Sequence, residues 1–122
     1  MNETNNQIQF LLDTNFLVIP YQFKVDIYSE LRKFGDPDMY TVGPVLQELS
    51  KLKNGNEAFR LYMIKGGKVI ETGGTIADDE IVKMAKDGAY VVCTQDIKLQ
   101  ERLKEHGVKI VFLRQQRYLE MK

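Results

Sequence analysis

Ala89-Tyr90-Val91-Val92-Cys93-Thr94, with Gln95-Asp96 directly after it, decides the fold of this chain. The run is apolar from Ala89 to Cys93 without interruption, the signature of a strand buried on both faces. What surrounds it is helical. Upstream, Thr75-Ile76-Ala77-Asp78 has the look of a helix N-terminus, and Ile81, Val82 and Ala85 form a buried stripe that stops at Gly88. Downstream, Asp96 begins a helix that ends at His106-Gly107, and Val108 to Leu113 is the last strand. Helix, strand, helix, strand at these lengths predicts parallel strands with helical crossovers.

The N-terminal half extends the same pattern. Ile8 to Leu12 is the first strand and ends at Asp13, and a loop or short turn around Pro20 follows. Phe23, Ile27, Leu31 and Phe34 recur at helical spacing, closed by Gly35 and an Asp36-Pro37-Asp38 turn. Met39 to Val42 is a second strand. Gly43-Pro44 opens a helix with proline in its first turn, where a missing N–H costs nothing. Val45, Leu46, Leu49 and Leu52 are its expected apolar face, and Asn54-Gly55 its end. Asn56 to Lys65 is a further helix with Phe59, Tyr62 and Met63 in register, stopped by Gly66-Gly67, and Val69-Ile70 is a minor strand. The last ten residues are expected to pack as a tail on an edge. The expected fold is α/β, a three-layer α/β/α sandwich around a central parallel sheet. Residues 1–122 are expected to form a single domain, with 1–7 a flexible N-terminus.

Composition excludes several classes. The chain of 122 residues is 43% hydrophobic and 28% charged, ordinary globular usage, which argues against disorder. No apolar run nears the ~20 residues of a membrane span, and the polar start lacks a secretory layout. Cys93 stands alone in an apolar setting, so it reads as a core residue and a cytoplasmic location is expected. Net charge is zero, which by itself argues against strong nucleic-acid binding, but the charge is unevenly placed. Residues 1–50 carry three Lys/Arg against seven Asp/Glu, a net of −4, and residues 97–122 carry seven against three, a net of +4. An acidic front and a basic back can serve an enzyme that binds metal on one patch and a polyanion beside it. A solvated basic tail would look the same.

In such a sheet, ligands bind at the carboxyl ends of the strands. Asp13 follows the first strand directly, Asp96 lies just past the strand that ends at Thr94, Asp78 or Asp79 starts the helix feeding that strand, and Glu48 is one turn into the helix after the second strand. Converging carboxylates repel one another unless a cation joins them. Magnesium or manganese suits oxygen ligands, and one ion, or two ~3.5–4 Å apart, can polarise a phosphodiester and activate water. Zinc is excluded by a single Cys and a single His, and His106 has no nucleophile and acid around it. Each acid also has a plainer role available: Asp13 in a turn with Thr14 and Asn15, Asp78 and Asp96 at helix N-termini, Glu48 on a solvated helix face.

The stretches FLLDTNFL (10–17), VLQELSKL (45–52), TIADDEIVKMA (75–85) and YVVCTQDIKLQERLKEHGVKIVFLR (90–114) together resemble the PIN-domain nucleases. The C-terminal part is most similar to the archaeal and eukaryotic branch that processes ribosomal RNA, and toxins of the VapC type form the other branch. The resemblance implies a metal-dependent endoribonuclease that hydrolyses single-stranded RNA with Mg2+ or Mn2+. It matches Asp13, Glu48, Asp79 and Asp96 to the catalytic metal ligands. Asp79 is preferred as the third because Ile81 and Val82 follow two and three positions on, while Asp78 keeps a claim to a swapped or water-mediated role. Asn15 and Thr94 match polar positions that help hold the first and fourth carboxylates.

Lys98, Arg102, Lys51 and Lys53 are candidates for phosphate contacts, against the plainer reading of a solvated helix face. The resemblance also allows a homodimer, which no motif demands, and an antitoxin or ribosome-assembly partner. No membrane partner is expected. A catalytically silent RNA-binding or assembly module is the rival reading, disfavoured by the presence of all four acids. A phosphoacceptor receiver domain would need two acids after the first strand, and a haloacid-type phosphatase an Asp-x-Asp that Asp13-Thr14-Asn15 lacks.

Overall fold

The computed structural model describes residues 6–122. Of the expected flexible N-terminus, residues 1–5 lie outside the described residues, whereas Gln7 already belongs to the first strand, β1 (Gln7–Leu12). Phe10, Leu11 and Leu12 are fully buried, as a central strand covered on both faces requires.

Thr14–Leu17 (α1) and Ile19–Phe23 (α2) are helical where a loop was expected. Two helices of four and five residues are too short to show a helical period, and Pro20 sits in the first turn of α2, where it is tolerated. The stripe from Phe23 to Phe34 is likewise not one helix. Lys24 takes a left-handed φ of 58° and ends α2, and α3 (Ile27–Leu31) starts afresh on an Asp26 cap, whose carboxylate accepts from the N–H groups of Tyr28 and Ser29, both at 3.1 Å. The expected Asp36-Pro37-Asp38 turn is instead the opening of β2 (Asp36–Val42), with Pro37 paired opposite Ile8. The turn falls one residue earlier, at Gly35. Its φ is +155°, and an added Cβ would meet the Asn6 carbonyl oxygen at 2.3 Å, so only glycine fits.

From there expectation and structure run together, with most boundaries moved by a residue or two: α4 (Gly43–Ser50), which ends well before the expected Asn54-Gly55 and leaves Leu52 in the turn beyond it, α5 (Gly55–Ile64), β3 (Lys68–Ile70), α6 (Ala77–Asp87), β4 (Tyr90–Cys93), α7 (Ile97–Lys104) and β5 (Ile110–Arg114). Two residues placed on apolar helix faces prove exposed, Leu52 at 45% and Met63 at 46%. Tyr62 is fully buried. Its hydroxyl donates to the Lys68 carbonyl at 2.5 Å, and its ring occupies the space a Cβ on Gly67 would need.

The strands form one sheet in the order β3-β2-β1-β4-β5-β6, parallel from β3 through β5. The expected tail is the sixth strand, β6 (Tyr118–Met121), antiparallel to β5. The turn between them closes with Arg117 N–H on the Arg114 carbonyl at 3.1 Å, and Gln115 and Gln116 both take left-handed φ values of 55° and 56°. Such turns match strand twist, but Asn-Gly is their usual signal, which this sequence lacks. Glu30 on α3 accepts from the Leu119 N–H at 2.9 Å, tying β6 to a helix. Helices cover both faces of the sheet: α1, α4 and α5 pack on one another, and α6 packs on α7 and β4. The architecture is a three-layer α/β/α sandwich with a mostly parallel sheet. Among the described residues, no helix is long and apolar enough to cross a membrane.

Candidate active site

The connections leave β1 in opposite directions: β2 and β3 lie on one side of it, β4 and β5 on the other. At the carboxyl ends of β1 and β4 the chain therefore parts, and a crevice forms there. A cleft of about 640 Å3 occupies this place, lined by Asp13, Glu48, Asp78 and Asp96 together with Thr14, Asn15, Lys51 and apolar side chains. Four acids far apart in sequence thus face one space, and among the described residues Lys51 is the one cation in its lining.

Asp13 is the innermost, 3% exposed, one residue past β1. Its backbone N–H donates to the Cys93 carbonyl at 3.0 Å, which stitches the end of β1 to the end of β4. One carboxylate oxygen accepts from the Thr14 N–H and caps α1, and the other accepts from the Thr94 hydroxyl, each at 2.8 Å. The helix-cap role and the cleft position are thus compatible. Burial pushes the Asp13 carboxyl up from 3.8 to about 6; the Thr94 and Thr14 hydrogen bonds oppose the rise, and the charges of Asp78 and Glu48 add to it.

Thr94 is fully buried beneath the cleft, and its hydroxyl serves two acids. It donates to Asp13 and accepts from the Asp96 N–H at 3.0 Å. Asp96 in turn caps α7, accepting from the N–H groups of Lys98 at 2.9 Å and Leu99 at 3.3 Å. Asn15 accepts from the Gln95 N–H at 3.0 Å, a second bridge between the β1 and β4 ends. Thr94 thus touches both residues, Asp13 through its carboxylate and Asp96 through its backbone N–H, while Asn15 contacts neither carboxylate and ties the chain ends that carry them. Glu48 lies on α4 and accepts from the Thr14 hydroxyl at 2.5 Å, which fixes α4 to α1.

For the third acid the geometry favours the neighbour of the preferred residue. Asp78 lines the cleft, and Asp79 points away and pairs with Arg102 on α7 at 3.0 Å. The reason lies in the helix: adjacent residues on α6 are about 100° apart, so only one of the two can face the cleft. The Asp78 carboxyl is raised, first by burial and then by the charges of Asp96 and Glu48, with Arg102 pulling the other way. Of the expected phosphate-binding cations, Lys51 is in the cleft lining and Arg102 is held by Asp79. Lys98 is exposed at the start of α7, and Lys53 borders a neighbouring recess with Tyr21 and Asn54.

Several contributors gave no readable signal. Thr14 looked like part of a turn, and its hydroxyl contact with Glu48 spans 34 residues. Gln95 accepts from the Leu113 N–H at 2.6 Å and reaches the Leu113 carbonyl at 3.5 Å, and Gln100 donates to the Thr94 carbonyl at 2.8 Å. Leu52 and Ile76 border the cleft with exposed apolar side chains.

Among the described residues, no three His, Cys, Asp or Glu side chains stand close enough together to hold a metal ion as they are placed. The lining is nonetheless rich in carboxylate oxygens, and burial raises the carboxyl of its innermost member, Asp13. Hard cations that keep several of their own waters suit such an open set.

Comparison with known proteins agrees with this geometry. The chain is 26% identical over 121 residues to ribonuclease VapC4 of Methanocaldococcus jannaschii, covering 89% of this chain and 92% of that protein. It is 28% identical over 119 residues to ribonuclease VapC9 of Archaeoglobus fulgidus, covering 91% and 87%. The solved PIN domain endonuclease Utp24 superposes with a TM-score of 0.83 at 25% identity, covering 93% of this chain and 90% of the other. The family described as PIN like domain matches residues 10–116, which take in the parallel strands from Phe10 onward and all four cleft acids, and the chain belongs to that family.

Proposed function

We propose that this protein is a metal-dependent endoribonuclease that hydrolyses phosphodiester bonds in single-stranded RNA. The observation that carries the proposal is the meeting of Asp13, Glu48, Asp78 and Asp96 in one cleft at the strand crossing. Their mutual repulsion and the raised Asp13 carboxyl make the cleft a receptor for positive charge. Asp13, Glu48, Asp78 and Asp96 would hold magnesium or manganese, and the bound ion would polarise the phosphodiester and activate water for attack. Asp78, not Asp79, is assigned as the third ligand.

This chain's own residues supply the rest. Thr94 and Asn15 tie together the chain ends that carry the inner carboxylates, which limits the rearrangement that binding requires. Lys51 offers a charge to a substrate phosphate, whereas Arg102 is paired with Asp79 and outside the cleft lining. The role we propose is ribosomal RNA processing in the cytoplasm, with single-stranded RNA as substrate; the likeness to the endonuclease Utp24 supports this reading. The two VapC relatives favour a second reading, a toxin whose cleft is closed by a cognate antitoxin.

The test is cleavage of a labelled single-stranded RNA by purified protein. Cleavage should require manganese or magnesium, stop with chelator, and vanish in Asp13→Asn and Asp96→Asn. Cleavage that persists in chelator, or in both variants, would refute the proposal. Co-expression with a small neighbouring protein that abolishes cleavage would favour the toxin role.

A further inference from the structure

The cleft is not only acidic. Leu52, in the turn beyond α4, and Ile76, the residue before α6, both line it, and they are 45% and 59% exposed. Singly exposed aliphatic side chains are ordinary, but these two border the same cleft as the four carboxylates. Neither is loosely held. Leu52 donates its N–H to the Leu49 carbonyl and accepts from the Gly55 N–H, both at 3.0 Å, and the Ile76 carbonyl accepts from the Glu80 N–H at 3.1 Å. Val18 adds an apolar floor, 2% exposed, and Gln22 a side-chain amide.

Given the ribonuclease reading on which this rests, we infer that Leu52 and Ile76 grip a nucleobase next to the scissile phosphate. The chemistry is divided within one cleft. The carboxylate end suits the phosphate with its cation, and the aliphatic pair offers only what a flat base face can use. About 640 Å3 has room for more than a phosphate, within the usual ~300–1,000 Å3 of small-molecule sites. A base reaches these side chains only when unstacked and unpaired, so the same two residues select single strands. Gln22 adds donors and an acceptor for the base edge, enough for a preference among bases. Leu52 and Ile76 are thus specificity-determining residues, outside the hydrolytic chemistry.

The experiment uses one RNA oligonucleotide with a mapped cut and a series in which single nucleotides near the cut carry an abasic ribose. Wild-type protein should lose about tenfold in KM at one abasic position, with kcat little changed, the scale of burying about half of two aliphatic side chains. Leu52→Ser/Ile76→Ser should show the raised KM on intact RNA and no further loss on the abasic one. Both residues are exposed, so the variant's thermal melt should match the wild type and exclude misfolding. Intact cleavage that ignores every abasic position overturns the inference while leaving the nuclease reading standing, and assigns the apolar rim to a protein partner. A variant that still discriminates against the abasic site overturns it as well. No cleavage of any RNA refutes the nuclease reading and this inference with it.

Discussion

Replacing Asp13 by Asn should stabilise the metal-free protein at neutral pH while abolishing cleavage. Burial raises the Asp13 carboxyl from 3.8 to about 6, so its ionised form is held in the folded protein at a cost of roughly 3 kcal/mol above pH 7. A raised acid binds its proton more tightly when folded. The penalty is therefore absent below about pH 4, grows between 4 and 6, and is complete above 6. Asparagine removes the charge and keeps the shape. Its oxygen can still accept from Thr14, and the Thr94 hydroxyl can turn its hydrogen toward Asn15, 3.5 Å away. The hydrogen bonds that Asp13 makes as a carboxylate are stronger, so the net gain should be about 1–2 kcal/mol, or roughly 4–8 °C in Tm for a chain of this size. The assay is a set of melts of both proteins in chelator from pH 4 to 8. The gap should be widest above pH 7 and close toward pH 4. Excess manganese should raise the wild-type Tm and narrow the gap. A variant less stable than wild type at pH 7.5, or a gap that ignores pH, would refute the account of Asp13 as a buried, repelled charge.

Three further outcomes follow from the site and core. Asp78→Asn should lose cleavage, while Asp79→Asn should keep kcat and leave KM unchanged or lower it a few-fold, because it frees Arg102; the reverse result would restore Asp79 as the ligand. Thr94→Val leaves one carboxylate oxygen of Asp13 and the Asp96 N–H each without its partner, so it should cost about 1–3 kcal/mol in urea unfolding and cut kcat rather than raise KM. Gly67→Ala would push a methyl into the Tyr62 ring, 2.2–2.4 Å away, and should destabilise the fold by about 1–3 kcal/mol with cleavage at low temperature unaffected.

Long, strongly patterned elements were readable in the sequence because burial alone dictates them. The apolar run ending at Cys93 and the stripe of Ile81, Val82 and Ala85 have few alternatives as strand and helix. Thr14 to Phe34 was not readable, since α1 to α3 are single turns or little more, set by Asp13, Asp26 and the left-handed Lys24. The hairpin after Arg114 escaped for the opposite reason, as its two glutamines take left-handed backbone without any glycine to announce it. At the site, the acids at strand ends were legible from topology, because Asp13 and Asp96 follow β1 and β4. Choosing between Asp78 and Asp79 was not, because it depends on the rotation of α6 against the sheet, and hydrophobic spacing two and three residues on does not fix that rotation.

Gln95 shows how a strand can stop early without leaving its neighbour exposed. Its side-chain amide takes the place of one backbone rung beside Leu113 on β5. The main chain is thereby released to bend away and begin α7, carrying Asp96 to the mouth of the crevice. Sheet integrity and the placing of a cleft carboxylate, which would otherwise compete for the same peptide group, are assigned to different atoms of one residue. Shortening that residue would be felt first as fraying of the β5–β6 hairpin, some distance from the cleft it helps to open.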